Sequence, residues 1–374
     1  MGNDSCKIEY TEKKADGDFI KMKTITLGST GITTPQNAFG ALPIQRVNME
    51  TAVEILRKAY DGGMTFFDTA RAYSDSEEKM GEAFGSPNSP YKRENIFIAT
   101  KSTAETPEKL KADLETSLKN LRTDYIDIYQ LHCVKQCYRP GDGTGLYETL
   151  LEAKAQGKIR HIGITAHKIG IAEEIATSGL YETLQFPFSY LATDRDIALV
   201  ETCCKNNVGF IAMKGLSGGL LTNARACMAF MSQYPVLPIW GIQKMSELEQ
   251  WLEFFKDDDD NRTGNSTLMT PKIEALIKKD REELLGEFCR GCGYCSPCTV
   301  GITINQCARM SQMIRRAPSQ NWLTPYWQGE MMKIEKCVDC GACLKRCPYE
   351  LDIPNLLRKN LADYKDIVAG RITV

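Results

Sequence analysis

Short apolar runs alternate with amphipathic stretches through the first two thirds of the chain. Residues 37–42, 64–69, 95–101, 125–132, 159–165, 183–188, 209–213 and 237–241 each read as a strand. They are near-continuously apolar, as strands buried on both faces are. Helical stretches lie between them. In 50–62, Ala52, Ile55, Leu56 and Ala59 share one face and Gly62 supplies a stop. In 107–121, Thr106 is a ready N-cap and Pro107 suits the first helical position. Residues 147–157 read as a further helix. Strands joined by crossover helices pair in parallel. Eight of them within about 250 residues favour a closed (β/α)8 barrel over an open sheet. An open dinucleotide-binding sheet would carry G-x-G-x-x-G after an early strand. Gly215, Gly218 and Gly219 come too late and do not fit that pattern.

Cysteines change the picture after the barrel. Cys337, Cys340 and Cys343 stand at C-x2-C-x2-C spacing, and Cys347 follows with Pro348 behind it. That is the ligand run of a bacterial-type [4Fe-4S] ferredoxin. A second run, Cys289, Cys292, Cys295 and Cys298, lies upstream. Eight thiolates suffice for two cubane clusters. The last cysteine of each run crosses to the other cluster in such domains. This assigns Cys289, Cys292, Cys295 and Cys347 to one cluster, and Cys337, Cys340, Cys343 and Cys298 to the other. Zinc is the competing reading, but zinc sites use two cysteine pairs separated by a longer loop. The first run departs from the pattern in that Thr299, not proline, follows Cys298. The fold class is therefore α/β: a TIM barrel followed by a small ferredoxin-like domain. The divisions are a polar N-terminal extension (1–21), the barrel (22–256), an acidic linker and helix (257–286), the iron-sulfur domain (287–353) and a C-terminal helix and tail (354–374).

Composition narrows the setting. The 374 residues leave room for one large and one small domain, and the net charge of −2 gives no bulk attraction to nucleic acid. No apolar run is long enough to span a bilayer, and no secretory signal is evident. Met1-Gly2 lacks the Ser or Thr that myristoylation wants, since Cys6 stands there. A cytoplasmic location is expected. Fifteen cysteines in such a chain read as metal sites in a reducing compartment rather than disulfides. Cys6, Cys133, Cys137, Cys203, Cys204, Cys227 and Cys307 remain, mostly as small packing hydrophobes. Exposed clusters point to an anaerobic setting.

In a barrel of this kind the chemistry sits at the C-terminal strand ends. Those ends carry Asp68 with nearby Tyr73, then Lys101, then His132. Each has a dull explanation alone: a cap, a solvated lysine, a core histidine. Together they form an acid-catalysis set. A tyrosine with a pKa of about 10 is expected to be lowered by a neighbouring lysine cation. An aspartate holds that lysine, and a histidine orients a substrate carbonyl. Tyr73 is then the proton donor.

Phe67-Asp68-Thr69-Ala70-Arg71-Ala72-Tyr73, Ala99-Thr100-Lys101-Ser102 and Gln130-Leu131-His132 resemble the aldo-keto reductases. So do Leu27-Gly28-Ser29-Thr30-Gly31, Gly40 and Gly157-Lys158-Ile159-Arg160-His161-Ile162-Gly163-Ile164. The resemblance covers roughly residues 22–255, and with the cysteines the whole chain resembles the ferredoxin-fused branch of that family. It implies an NAD(P)H-dependent barrel with Asp68, Tyr73, Lys101 and His132 as catalytic tetrad. Gly40, Thr165, Gln185, Met213, Lys214 and Gly241 are implied cofactor-binding positions. Where the family holds the nicotinamide carboxamide with Ser-Asn-Gln, this chain has Thr165, Ala166 and Gln185. Met213 stands where many members stack an aromatic ring. Gly241, Ile242 and Glu247 occupy the family's 2′-phosphate positions, and a carboxylate there suits ribose hydroxyls, favouring NADH over NADPH.

The expected activity is reduction of a small-molecule carbonyl, or oxidation of the alcohol, with two [4Fe-4S] clusters as a relay or a structural element. Hydride moves as a pair and a cluster moves single electrons, so a flavin or an external electron carrier is a further open expectation. The competing class is an electron-transfer or assembly subunit whose barrel is a docking body, or a flavin-linked iron-sulfur reductase. Neither nucleic acid nor membrane is an expected partner. Arg71, Tyr190, Trp240, Trp322, Tyr326 and Trp327 are candidates for shaping a substrate pocket.

Overall fold

A computed structural model of the chain describes residues 8–15, 18–86, 89–256, 268–284, 288–316, 319–347 and 349–373. Three strands precede the barrel: β1 (Ile8–Ala15), β2 (Asp18–Thr26) and β3 (Thr33–Pro35). They form an antiparallel sheet in that order. Residues 1–21 read as a polar extension, yet they carry β1 and the start of β2. Hairpin pairing satisfies backbone groups without apolar alternation, so composition gave no sign of it.

The eight expected strands follow as β4 (Ala38–Gly40), β5 (Phe66–Asp68), β6 (Phe97–Ser102), β7 (Ile126–Leu131), β8 (Ile159–Thr165), β9 (Thr183–Pro187), β10 (Gly209–Met213) and β11 (Val236–Gly241). They close into a parallel barrel in the order β10-β11-β4-β5-β6-β7-β8-β9. The helices between them start where the local chemistry allows. Asn48 caps Met49–Asp61 by accepting from the Thr51 N–H, and Thr106 caps Pro107–Leu121 through the Lys109 N–H. Thr193 and Asp196 form a reciprocal capping box on Asp194–Lys205.

Alternate residues of a strand share a face. Along the inward faces the character changes from apolar to polar: Phe66 to Asp68, Ala99 to Lys101, Ile128 to Gln130. Phe66, Ala99, Ile128, Ile211 and Leu237 pack in one cluster with Ile25 of β2 and with Leu27 and Ile32 from the β2–β3 connection. That connection closes on the barrel through Gly28. A Cβ there would lie 2.3 Å from the Gly209 nitrogen, and its φ is +51°. The apolar layer thus occupies the strand beginnings, and the polar layer is left at the strand ends.

By contacts the chain divides into two units. One holds the barrel: Met1–Phe188, Ala192–Gly215 and Met228–Leu268. The other gathers Ser189–Leu191, Leu216–Cys227 and Met269–Val374. The described residues of the second unit after 268 form helices and turns and no strand. Pro271–Leu284 and Ile353–Val368 are its longest helices. Its core packs Ile304, Met310, Ile314, Met331, Leu357 and Tyr364 around cysteines of both runs. The acidic run 257–260 lies outside the described residues. No helix among the described residues is long and apolar enough to cross a membrane.

Glu182 ties β8 to β9. It accepts from the Ile162 N–H at 3.0 Å and from Lys154 at 2.6 Å, and pairs with His161 at 2.7 Å. Despite half-burial, these bonds hold its carboxyl down to about 2, against an ordinary 4.5. A depressed carboxyl stabilises the fold above its unfolded value and loses that contribution as pH falls through its folded value. Glu182→Gln is expected to cost about 2 kcal/mol at neutral pH, read by urea unfolding. The difference from the parent should shrink as pH drops from 4.5 towards 2.

Candidate functional site

Neighbouring strands bring the acid-catalysis residues together. Asp68 ends β5 and Lys101 lies near the end of β6, with Asp68 beside Ala99 in register. The Lys101 ammonium donates to both Asp68 oxygens at 2.7 Å and to the Thr69 carbonyl at 2.6 Å. Both residues are almost fully buried. Burial pushes Asp68 up and Lys101 down, each opposed by the charge of its partner. Tyr73 and His132 meet edge-on with ring centroids 5.8 Å apart, and the Lys101 nitrogen lies 5.3 Å from the Tyr73 centroid. The four predicted side chains therefore share one site.

The electrostatics correct one expectation. Tyr73 is not lowered by Lys101; it is raised well above 10, first by burial and then by the negative charges of Asp68 and Cys133. The reason is geometric. Lys101 is neutralised by a two-oxygen contact with Asp68, so little cationic field is left for the phenol. Burial, then Lys101 and Lys214, push His132 down to about 3, so its ring is neutral.

Residues absent from the predicted tetrad complete the shell. Gln130 donates to Gln185 Oε1 at 2.9 Å and reaches Asp68 at 3.4 Å. It lies two positions before His132, which directly follows the end of β7, so the period of two could have flagged it. His167, two positions beyond Thr165, is buried and pushed well below its ordinary value by burial, Lys214 and His132. Glu77 is a buried anchor that accepts from Thr100 at 2.7 Å, Ser117 at 2.6 Å and Arg71 at 3.0 Å. Arg71 is thereby committed to an ion pair. Three non-glycine residues with left-handed backbone, Ser74 (φ +39°), Cys133 (+57°) and Lys214 (+60°), directly follow Tyr73, His132 and Met213. Such strain clusters where side chains are held to a set direction.

Other candidates fall elsewhere. Trp240 is buried and stacks on Trp251 with centroids 3.9 Å apart, a packing role. Trp322, Tyr326 and Trp327 pack against one another in the second unit. There the Tyr190 hydroxyl donates to Asp280.

In the second unit the thiols fall into two neighbourhoods. Cys289 and Cys295 each feel the charges of Cys292 and Cys347, and Cys295 that of Cys289. Cys343 feels Cys337 and Cys340 instead. A cavity of about 20 Å³ is lined by Cys298, Cys337, Cys340 and Cys343, together with Cys295. Among the described residues, no three His, Cys, Asp or Glu side chains converge on a point that would hold a single ion. Burial pushes Cys295 up to about 12 and also raises Cys289, which a bound metal would reverse, because it binds thiolate. Pro348 lies outside the described residues.

Residues 24–235 match the Aldo/keto reductase family, and residues 288–352 match a 4Fe-4S dicluster domain. The chain belongs to the aldo/keto reductase family. The aldo-keto reductase YhdN of Bacillus subtilis is 28% identical over 218 residues, covering 54% of this chain and 64% of that protein. Methylglyoxal reductase DkgB of Salmonella typhi is 36% identical over 142 residues, covering 37% and 50%. The chain thus spans half to just under two thirds of the length of these curated relatives. Among solved structures, an aldo-keto reductase of Bacillus halodurans in its holo form superposes with a TM-score of 0.56 at 19% identity, over 69% of this chain and 96% of that one. An aldo-keto reductase of Brucella melitensis gives 0.54 at 20%, over 69% and 98%. At these identities the structures speak to the fold.

For an aldo/keto reductase the carboxamide positions deserve a test of fit. Thr165, the last residue of β8, is the register partner of Gln185 in the middle of β9. The Thr165 hydroxyl accepts from the Cys133 N–H at 2.6 Å and keeps its own proton to donate. The Gln185 amide nitrogen has only a 3.5 Å contact to Asp68. Ala166 is buried and offers no side-chain polar group. These residues fit a nicotinamide carboxamide through two groups. Met213 is partly buried against the barrel core. Gly40 faces the Trp240 carbonyl, which a Cβ would approach to 3.1 Å, and so answers to strand packing. Gly241 is exposed. Cys347→Ser and Cys298→Ser should each lower bound iron by about half, through loss of different clusters. Iron assay with electron paramagnetic resonance of the reduced protein checks this; equal loss of both signals in each variant would refute the crossed assignment.

Proposed function

We propose that this chain is an NAD(P)H-dependent carbonyl reductase that carries two [4Fe-4S] clusters. The observation that carries the reading is the convergence of neutral Tyr73 and neutral His132 above the buried Asp68–Lys101 pair. Nicotinamide, when bound, supplies a hydride, with Thr165 and Gln185 as the groups that would hold its carboxamide. His132 orients the substrate carbonyl by donating a ring N–H to its oxygen. Tyr73 delivers the proton from its hydroxyl to that oxygen. Lys101 and Asp68 fix the floor on which Tyr73 rests. Methylglyoxal is a reasonable first probe, because a relative bears the name methylglyoxal reductase.

Tyr73→Phe should lower carbonyl reduction by about 100- to 10,000-fold while the iron-sulfur absorption is unchanged. Retention of parent turnover in that variant would sink the tetrad assignment.

NADH is proposed over NADPH. Glu247 turns back to accept from the Gln243 N–H at 2.9 Å and the Lys244 N–H at 3.2 Å. It starts the helix Met245–Lys256 and takes up amide groups that a phosphate would otherwise use. Glu247→Ser is expected to raise kcat/KM for NADPH relative to NADH by about tenfold, the equivalent of 1.4 kcal/mol. An unchanged ratio would remove Glu247 from cofactor choice.

A further inference from the structure

Arg309 is a buried cation whose partners do not account for its charge. It is 5% exposed. Its guanidinium donates to the Gly218 carbonyl at 2.6 Å and to Gln306 Oε1 at 2.9 Å, both neutral acceptors. Its Nε is buried with no hydrogen-bond partner. Among the described residues no carboxylate pairs with it. The chain makes room for it deliberately. Gly218 and Gly291 are both left-handed, at φ +71° and +65°. A Cβ on Gly218 would lie 2.5 Å from Nη1, and one on Gly291 would lie 2.7 Å from Cζ. Gly291 stands between Cys289 and Cys292. Gly291 therefore sets the guanidinium directly against the stretch that carries Cys289 and Cys292.

A buried charge without a counter-charge costs several kcal/mol, so a structure that builds a slot for one implies a partner. A cubane with four thiolates is anionic and becomes more so on reduction. A cation beside it favours the reduced state. The other set of thiols lies in different surroundings. Cys340 is exposed, and Asp339 beside it is paired with Arg358. Arg346 is the cation that acts on Cys340, but it is exposed and bonded to the Pro297 carbonyl at 2.9 Å. Charges in water are screened, and a buried one is not.

We propose that Arg309 is the built-in counter-charge of the cluster held by Cys289, Cys292, Cys295 and Cys347, and that it makes this cluster the first of the two to be reduced. The proposal rests on the cluster assignment given above. The step is the uptake of one electron from a one-electron reductant, with no bond made or broken and no proton moved. Arg309 acts through the cluster and is a positioning residue for charge.

The test is a potentiometric titration of the iron-loaded full chain with dithionite, followed by electron paramagnetic resonance. The parent should show two one-electron waves. Arg309→Gln should move one wave, the earlier, to more negative potential and leave the other in place. Gln306→Glu supplies a carboxylate to the same guanidinium without disturbing its packing, so it should move the same wave in the same direction. If both waves shift together, or neither shifts in Gln306→Glu and Arg309→Gln, the proposal is overturned while the two-cluster reading stands. A parent chain that binds iron for one cluster or none overturns that reading and the proposal with it.

Discussion

The barrel site depends on one buried ion pair. Lys101 spans both oxygens of Asp68 and caps the Thr69 carbonyl, all within 2.7 Å. Removing one partner from such a pair typically costs about 3–5 kcal/mol, because the other is left charged and dry. The surroundings are built to avoid that. Gln130 and Gln185 reach the remaining faces of the carboxylate and are locked to each other at 2.9 Å. With the pair self-neutralised, the space above it holds neutral groups. His132 is pushed down to about 3, and Tyr73 keeps its proton.

The second unit meets the same physical difficulty with a different remedy. It too buries ionisable groups, among them thiols and an arginine. Cys295 is pushed up to about 12 by burial and by its neighbours' charge. Arg309 has only neutral acceptors. Metal binding supplies folding energy to small domains that lack a full core of their own. Here the apolar core around Met310, Ile314 and Leu357 is interleaved with Cys289, Cys295 and Cys347. A metal group would therefore act on packing and electrostatics together.

How much of this was legible from the residues alone differs by element. The barrel strands were, because strands buried on both faces leave uninterrupted apolar runs, and the strand-end residues followed from where those runs stop. The first hairpin was not, since its pairing lives in the backbone and its residues are polar. Tyr73 was found, but the sign of its shift was not. A lysine three elements of distance away in sequence reads as a cation; only coordinates show that Asp68 has already spent its field. Glu77 and Arg309 were silent for a related reason. A lone charged residue in a helical stretch looks like a solvated face, and burial is a property of the neighbours. The glycines opposite Arg309 were the one available trace, and without the fold they point nowhere.

The raised tyrosine is consistent with the acid role proposed for it. A general acid has to hold its proton until charge develops on the acceptor. A carbonyl oxygen is a poor base before hydride arrives and a strong one afterwards. A phenol lowered towards neutrality would stand partly ionised in the resting site and would then be an anion facing an oxygen that is itself becoming negative. Burial and the Asp68 charge prevent that by keeping the proton on Tyr73. The driving force then comes from the substrate, as its oxygen becomes more basic than the phenolate left behind. His132, neutral for the same reasons of burial and nearby lysines, can donate a hydrogen bond without competing to give up a proton. The division of labour between the two rings thus follows from where the ion pair puts its charge.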